Sequence, residues 1–144
     1  MADSGTRHES FEVAVEEAVI DHVQDRLEAF LGSDGSVDDA DRMRFEMALV
    51  EIVGNIVEHA FAADAHTTGR KLVVELRLAP DRIEATLADN GLPHELDLGS
   101  VTMPDTDAVS GRGLALAVAA VDDLTYERVD GRNQWGLLCR RASA

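Results

Sequence analysis

The sequence predicts an α+β fold, a two-layer sandwich in which a mixed, mostly antiparallel sheet is covered on one face by about three helices. Segments with strand-like alternation and segments with helical periodicity follow one another in the order β-α-α-β-β-α-β-β, with short connections. Strands and helices grouped in this way pack as two layers. The 144 residues, 45% of them hydrophobic, are enough for one sizeable core. We therefore expect one domain over residues 1–144, with a flexible tail at residues 1–9.

The first half of the chain predicts one strand and two amphipathic helices. Alternating apolar residues indicate an opening strand at residues 11–16, and an apolar stripe with helical spacing follows at Val19, Val23, Leu27 and Phe30. The next loop ends in Ser36, which we expect to be the N-cap of the second helix because acidic residues follow it. This helix runs to about residue 61. Its predicted buried face consists of Phe45, Ala48, Leu49, Ile52, Val53, Ile56 and Ala60.

The second half of the chain predicts two hairpins with a helix between them. Residues 72–78 alternate, residues 79–81 form a turn, and a second strand ends at Asp89. Residues 98–110 show little periodicity and contain glycine and proline, which predicts a mobile segment that could close as a short lid. A third helix carries Leu114, Ala117, Val118 and Val121. The last hairpin turns around residues 130–133.

Three polar motifs interrupt these apolar elements, and the first lies on the second helix. Glu51, Asn55 and His59 recur every four residues, so they form one polar stripe at the border of the buried face. A carboxylate, an amide and an imidazole in one row could hold a metal and a base. A solvated helix face would show the same spacing.

The other two motifs lie at the ends of elements. Asp89-Asn90-Gly91-Leu92-Pro93 begins at a strand end, where a turn would fix the carboxylate so that it can bind an amino group. Ser110-Gly111-Arg112-Gly113-Leu114 opens the third helix, and the free N–H groups at a helix N-terminus bind anions such as phosphate. Without a ligand, the same motifs would be an ordinary turn and a glycine-rich helix start.

In their joint order and spacing, the three motifs resemble the ATP-binding domain of the GHKL superfamily, which includes histidine kinases, DNA gyrase and MutL. The resemblance covers residues 11–140. It is closest to the small bacterial branch of anti-sigma factor serine kinases, since the second motif reads Asp-Asn-Gly-Leu-Pro rather than the two-glycine form of histidine kinases, and no phosphoacceptor helix pair precedes it.

The resemblance assigns roles to the residues of the first motif. Glu51 matches the general base that accepts the proton of a substrate serine hydroxyl. Asn55 matches the ligand that holds Mg²⁺ through its amide oxygen, which suits the preference of this ion for oxygen. His59 either lines the ATP site or is satisfied within the protein.

The resemblance also assigns the nucleotide contacts. Asp89 would accept a hydrogen bond from the adenine amino group, while Gly91 and Pro93 let the base lie against the backbone. Ser110, Gly111, Arg112, Gly113 and Leu114 would cradle the phosphates. Many relatives have a Gly-Thr pair before the last strand, where the threonine supports the adenine aspartate. This chain has Gly131-Arg132-Asn133, and Asn133 is the candidate substitute.

Composition limits the classes of partner. The net charge of −15, with 28 acidic and 13 basic residues, argues against nucleic acid. It also means that an ATP site needs Mg²⁺ and local cations, for which Arg112 and Lys71 are candidates. The acidic surface either attracts a basic protein or serves solubility. We expect a cytoplasmic protein without a membrane span, because no apolar stretch is long enough and residues 1–10 are polar. Cys139, the single cysteine, is expected in the core.

The leading hypothesis, by resemblance, is an ATP-dependent serine kinase and anti-sigma factor. It would sequester a sigma factor and phosphorylate a serine of a STAS-type anti-anti-sigma antagonist, and proteins of this kind usually form homodimers. One alternative is an ATP-binding regulatory module without kinase activity, which controls a partner by binding alone. Another is a detached histidine-kinase catalytic domain, which would transfer phosphate to histidine.

Overall fold

The computed structural model describes residues 6–16, 18–32, 35–63, 70–91 and 112–142, with only the backbone described at residues 60–63 and 112. The described chain contains eight elements in the predicted order. They are β1 (Arg7–Ala14), α1 (Val19–Gly32), α2 (Asp39–Ala63), β2 (Lys71–Leu78), β3 (Arg82–Asp89), α3 (Arg112–Ala120), β4 (Asp123–Val129) and β5 (Arg132–Arg140). None of the helices in these described ranges is long and apolar enough to cross a bilayer.

The five described strands form one sheet in the order β1-β2-β3-β5-β4, and all four pairings between them are antiparallel. The helices lie against one face of this sheet, because alternate strand residues are buried beneath them. The α+β two-layer fold predicted from the sequence is therefore confirmed. The pairing β3·β5 sets Asp89 directly opposite Asn133, two positions that are 44 residues apart in sequence.

The core lies between the helices and the inward face of the sheet. Six of the seven residues predicted for the buried face of α2 are buried, and the seventh, Ala60, has no described side chain. Cys139 of β5 is fully buried, as the sequence predicted, and so is Trp135 of the same strand. Desolvation by burial raises the pKa of the Cys139 thiol.

Two predicted boundaries were wrong. β1 begins at Arg7 and pairs with β2 from that residue, so the expected tail at residues 1–9 is too long. The reason is that Arg7 donates a hydrogen bond of 2.9 Å to the carbonyl of Phe30 and stacks over its ring. The N-cap of α2 is Asp38 rather than Ser36, since the Asp38 Oδ1 accepts a bond of 2.8 Å from the N–H of Ala40.

The last hairpin is tighter than predicted. Asp130 and Gly131 alone connect β4 to β5, with φ of 51° and 78°. Positive φ at both positions fits a type I′ turn, whose twist matches that of the flanking strands. Residues 132 and 133, expected in the turn, therefore belong to β5, and strand alternation directs Asn133 into the protein, where it is 0% exposed.

A polar network around Arg44 fixes α3 against α2 and β5. The Arg44 guanidinium donates a hydrogen bond of 3.0 Å to the carbonyl of Ala120, at the end of α3. It donates another, of 3.1 Å, to the carbonyl of Arg140 in β5. It also donates a hydrogen bond of 3.1 Å to the carboxylate of Asp41, a residue that is 2% exposed. This hydrogen bond raises the pKa of Arg44. The second oxygen of Asp41 accepts a bond of 2.9 Å from the N–H of Ala142. This network fixes the end of α3 relative to α2 and β5.

Candidate nucleotide site

The three residues of the first motif lie on α2 as predicted. Glu51, Asn55 and His59 are each partly exposed and stand one turn apart on the same side of the helix. The positions between them, Ile52, Val53, Ile56 and Val57, are buried in the core. The core contacts of α2 therefore determine which way the polar stripe faces.

Glu51 meets the start of α3, which brings the first and third motifs together. A Cβ built on Gly113 would overlap the Oε2 of Glu51, so only glycine allows this approach. The contact sets a carboxylate beside the first N–H groups of a helix, where the helix dipole also attracts anionic phosphate. Leu114 is buried in the core, so any part that it takes in binding would come from its backbone N–H.

Asp89 ends β3 and is 4% exposed. Its Oδ1 accepts two hydrogen bonds, 2.8 Å from the N–H of Gly91 and 3.0 Å from the Nδ2 of Asn133. A Cβ on Gly91 would lie 2.8 Å from the same oxygen, which explains the glycine. The other oxygen, Oδ2, is buried and has no hydrogen-bond partner among the described residues.

A buried carboxylate oxygen without a donor costs about 1–3 kcal/mol or more. A ligand that brings an N–H group to this oxygen would remove that cost, and the amino group of adenine is such a donor. The residues present therefore fit an adenine nucleotide at this end of β3. A donor set for Mg²⁺ is also available in part, because Asn55 offers an amide oxygen. No group of three or more His, Cys, Asp or Glu in the described ranges could hold a metal ion.

Arginines hold the backbone of the second motif. The guanidinium of Arg70 donates a hydrogen bond of 2.7 Å to the carbonyl of Asn90. The guanidinium of Arg128 donates a hydrogen bond of 2.7 Å to the carbonyl of Gly91. The Asn90 Oδ1 accepts a bond of 2.9 Å from the N–H of Lys71. These bonds fix the turn that follows β3 and with it the position of Asp89.

Asn133 supports Asp89, as proposed for it when the expected threonine was missing. Tyr126 and Arg128, which no sequence motif indicated, both donate hydrogen bonds to the Oδ1 of Asn133, at 2.5 Å and 3.0 Å. Lys71, expected near phosphate, lies elsewhere. Its side chain is exposed on the face of the sheet opposite the helices, with Nζ 3.8 Å from a Glu12 carboxylate oxygen.

Some predicted site residues lie outside the described residues. These are Pro93, Ser110 and Gly111, together with the predicted lid at residues 98–110, and the side chain of Arg112. Their roles stay predictions.

An open groove runs beside Glu51 between α1 and α2. It has a volume of about 350 Å³ and is lined by Gln24, Met43, Glu46, Met47, Val50 and Glu51. Met43 is 69% exposed and Met47 is 40% exposed. Glu51 therefore lines this groove as well as meeting the start of α3.

Comparisons with known proteins identify the family and agree with the fold. The family model described as "Histidine kinase-like ATPase domain" matches residues 13–136. The fold matches the crystal structure of the RsbU and RsbW domains of Rv1364c from Mycobacterium tuberculosis with a TM-score of 0.63 and 24% identity. The match covers 92% of this chain and 32% of that chain, so this chain spans about a third of its length. No curated protein matches the sequence. Because the family match spans most of the sequence, the chain belongs to the histidine kinase-like ATPase domain family.

Proposed function

We propose that this chain is an ATP-dependent serine kinase that also acts as an anti-sigma factor. The observation that carries the proposal is the contact between Glu51 and Gly113 at the start of α3. It sets a carboxylate, a group that can act as a general base, beside a helix N-terminus that attracts phosphate. The unpaired Oδ2 of Asp89 supports the nucleotide part of the proposal.

Each residue of the site has a defined task in this proposal. ATP would donate its γ-phosphoryl group and leave as ADP, and Mg²⁺, when bound, would neutralise part of the phosphate charge. Asn55 holds the metal ion, the first N–H groups of α3 and the side chain of Arg112 hold the phosphates, and Asp89 binds the base. Glu51 accepts the proton of the attacking serine hydroxyl, a role that contributes about 10²–10⁴-fold in other enzymes.

The groove beside Glu51 favours a protein as the acceptor. Its exposed methionines offer an adaptable apolar surface to a partner, and the proposed base is one of the residues that line it. A serine presented on the surface of a folded antagonist could approach Glu51 from this side.

The choice of partners rests on resemblance. The form of the second motif is that of the anti-sigma factor kinases, and the structural neighbour contains an RsbW domain. We therefore propose a sigma factor and a STAS-type antagonist as partners, with the chain acting as a single domain in a homodimer. The net charge of −15 would favour basic surfaces on those partners.

A phosphoryl-transfer assay tests the proposal. The purified protein is incubated with radiolabelled ATP, Mg²⁺ and a candidate STAS-domain antagonist, alongside the variants Glu51→Ala and Glu58→Ala. Glu58 is a matched control because it is exposed on the same helix. We expect acid-stable phosphoserine, formed about 10²–10⁴-fold more slowly by Glu51→Ala and at the original rate by Glu58→Ala.

Other outcomes would favour the alternatives. An acid-labile product would indicate phosphohistidine and a detached histidine-kinase domain. ATP-dependent binding of the partner without phosphorylation, unchanged in Glu51→Ala, would contradict the kinase and leave a regulatory module.

A further inference from the structure

The amide of Asn133 determines which oxygen of Asp89 is available to a ligand. Asn133 is fully buried, and its Nδ2 lies 3.0 Å from the Oδ1 of Asp89. An amide nitrogen can only donate, so this oxygen must accept. Together with the bond from the N–H of Gly91, the contact occupies Oδ1 and leaves Oδ2 as the oxygen without a donor.

The orientation of the Asn133 amide is itself fixed from β4. Arg128 lies 3.0 Å from the Oδ1 of Asn133, and a guanidinium has no acceptor, so the atom that faces it must be oxygen. The hydroxyl of Tyr126 donates to the same oxygen at 2.5 Å. A flipped amide would set its NH₂ group against the guanidinium and its oxygen against the Asp89 carboxylate. Both contacts would be repulsive.

We propose that Asn133, oriented by Tyr126 and Arg128 of β4, is the positioning residue that sets the nucleobase selectivity of the site. It holds Asp89 with one oxygen directed at the base, so that purines with a 6-amino group are selected. The inference rests on the proposed function, because it takes the Asp89 site as the ATP site.

The physical basis is the cost of an unpaired buried acceptor. A 6-amino group satisfies the Oδ2 of Asp89, whereas a purine with hydrogen at this position leaves the oxygen without a donor, and a 6-oxo purine sets two acceptors against each other. If the Asn133 amide is removed, the Asp89 carboxylate can rotate, and either of its oxygens can face the base or the N–H of Gly91. The difference in affinity between these bases then becomes smaller.

Calorimetric titration with two nucleotides tests this inference. Mg-ATP is compared with the magnesium complex of purine riboside triphosphate, which lacks the 6-amino group. The proteins are wild type, Asn133→Leu and Tyr126→Phe, with Glu127→Gln as control, since Glu127 lies between the two donors of β4 but is exposed. All four are checked by thermal unfolding.

We expect wild type and Glu127→Gln to bind Mg-ATP about tenfold or more tightly than the analogue, the effect of one well-placed buried hydrogen bond. The ratio of the affinity for Mg-ATP to the affinity for the analogue should fall to about twofold in Asn133→Leu. In Tyr126→Phe, where Arg128 still holds the amide, this ratio should lie between the two values. A purely structural role of Asn133 would weaken the binding of both nucleotides equally.

Three results would overturn the inference. In the first, the ratio of the two affinities stays at its wild-type value in both Asn133→Leu and Tyr126→Phe. In the second, the wild-type protein binds both nucleotides equally tightly. In these cases Mg-ATP binding and the proposed function would stand. If wild type binds neither nucleotide, the proposed function fails as well. Should Asn133→Leu not fold, Tyr126→Phe still decides the question, because it removes one hydroxyl only.

Discussion

Replacing Gly113 by alanine should separate stability from activity. The added Cβ would overlap the Oε2 of Glu51 and lie 3.2 Å from its Cδ. These atoms are the end of a flexible side chain, so the carboxylate can swing away while the backbones of α2 and α3 stay in place. Alanine is about 1 kcal/mol better than glycine inside a helix, and less at its first turn. We therefore expect the free energy of unfolding to stay within about 1 kcal/mol of the wild-type value.

The rate of phosphoryl transfer should fall in the same variant. A displaced Glu51 can no longer accept the proton of the acceptor hydroxyl, so the loss should approach the 10²–10⁴-fold attributed to a general base. Urea denaturation measures the stability, and initial rates of serine phosphorylation measure the activity. Gly32→Ala is the matched control, because Gly32 ends α1 and no described atom lies within 4 Å of its added Cβ.

A double-mutant cycle checks the cause. In a Glu51→Ala background the carboxylate is absent, so Gly113→Ala should cause no further loss of rate. The reasoning would be refuted by a wild-type rate in Gly113→Ala. A loss of more than about 3 kcal/mol of stability would also refute it, because the helix backbone and not the carboxylate would then have yielded.

Further predictions concern three residues of the scaffold, Cys139, Arg44 and Gly131. Burial raises the pKa of the Cys139 thiol, so Ellman's reagent at pH 8 should modify the native protein far more slowly than the urea-unfolded protein. Because the unfolded thiol ionises first, this residue's contribution to stability should also be lost as the pH rises above the ordinary thiol range, which urea titrations at several pH values would show. Arg44→Met should cost about 2–3 kcal/mol in urea denaturation, since it leaves the Asp41 carboxylate buried without its cation, and Arg42→Met, with an exposed partner, should cost little. Gly131→Ala should cost about 1 kcal/mol in thermal unfolding because φ is 78°, whereas Asp130→Asn should be neutral, as asparagine tolerates positive φ. Equal thiol reactivity in both states, or unchanged stability in Arg44→Met or Gly131→Ala, would contradict the respective argument.

The order of the elements could be predicted because burial alternates with the period of each element. The buried residues of α1 and α2 and the hairpin of β2 and β3 show this, since each depends on the local apolar pattern alone. The face of the sheet on which the Lys71 side chain lies could also have been predicted. Leu72 points inward, so its neighbour in the strand must point outward.

Features that depend on distant residues could not be predicted in this way. Ser36 and Asp38 both suit an N-cap, and the choice involves Arg141, which donates to the carbonyl and hydroxyl oxygens of Ser36. The donors that orient Asn133 come from β4, and only the register of β4 against β5 brings Tyr126 and Arg128 to it. The asparagine itself was identified only because a threonine was expected in its place.

Mg-ATP titration of the wild-type protein and of Asp89→Asn, by calorimetry with EDTA as control, shows whether Asp89 binds the nucleobase. In the variant, the amide oxygen should take over the two donors now bound to Oδ1, which directs the new NH₂ group at the adenine amino group. We expect saturable binding that requires Mg²⁺ in the wild type and is lost in the folded variant. No binding to the wild type, or equal affinity in the variant, would contradict it.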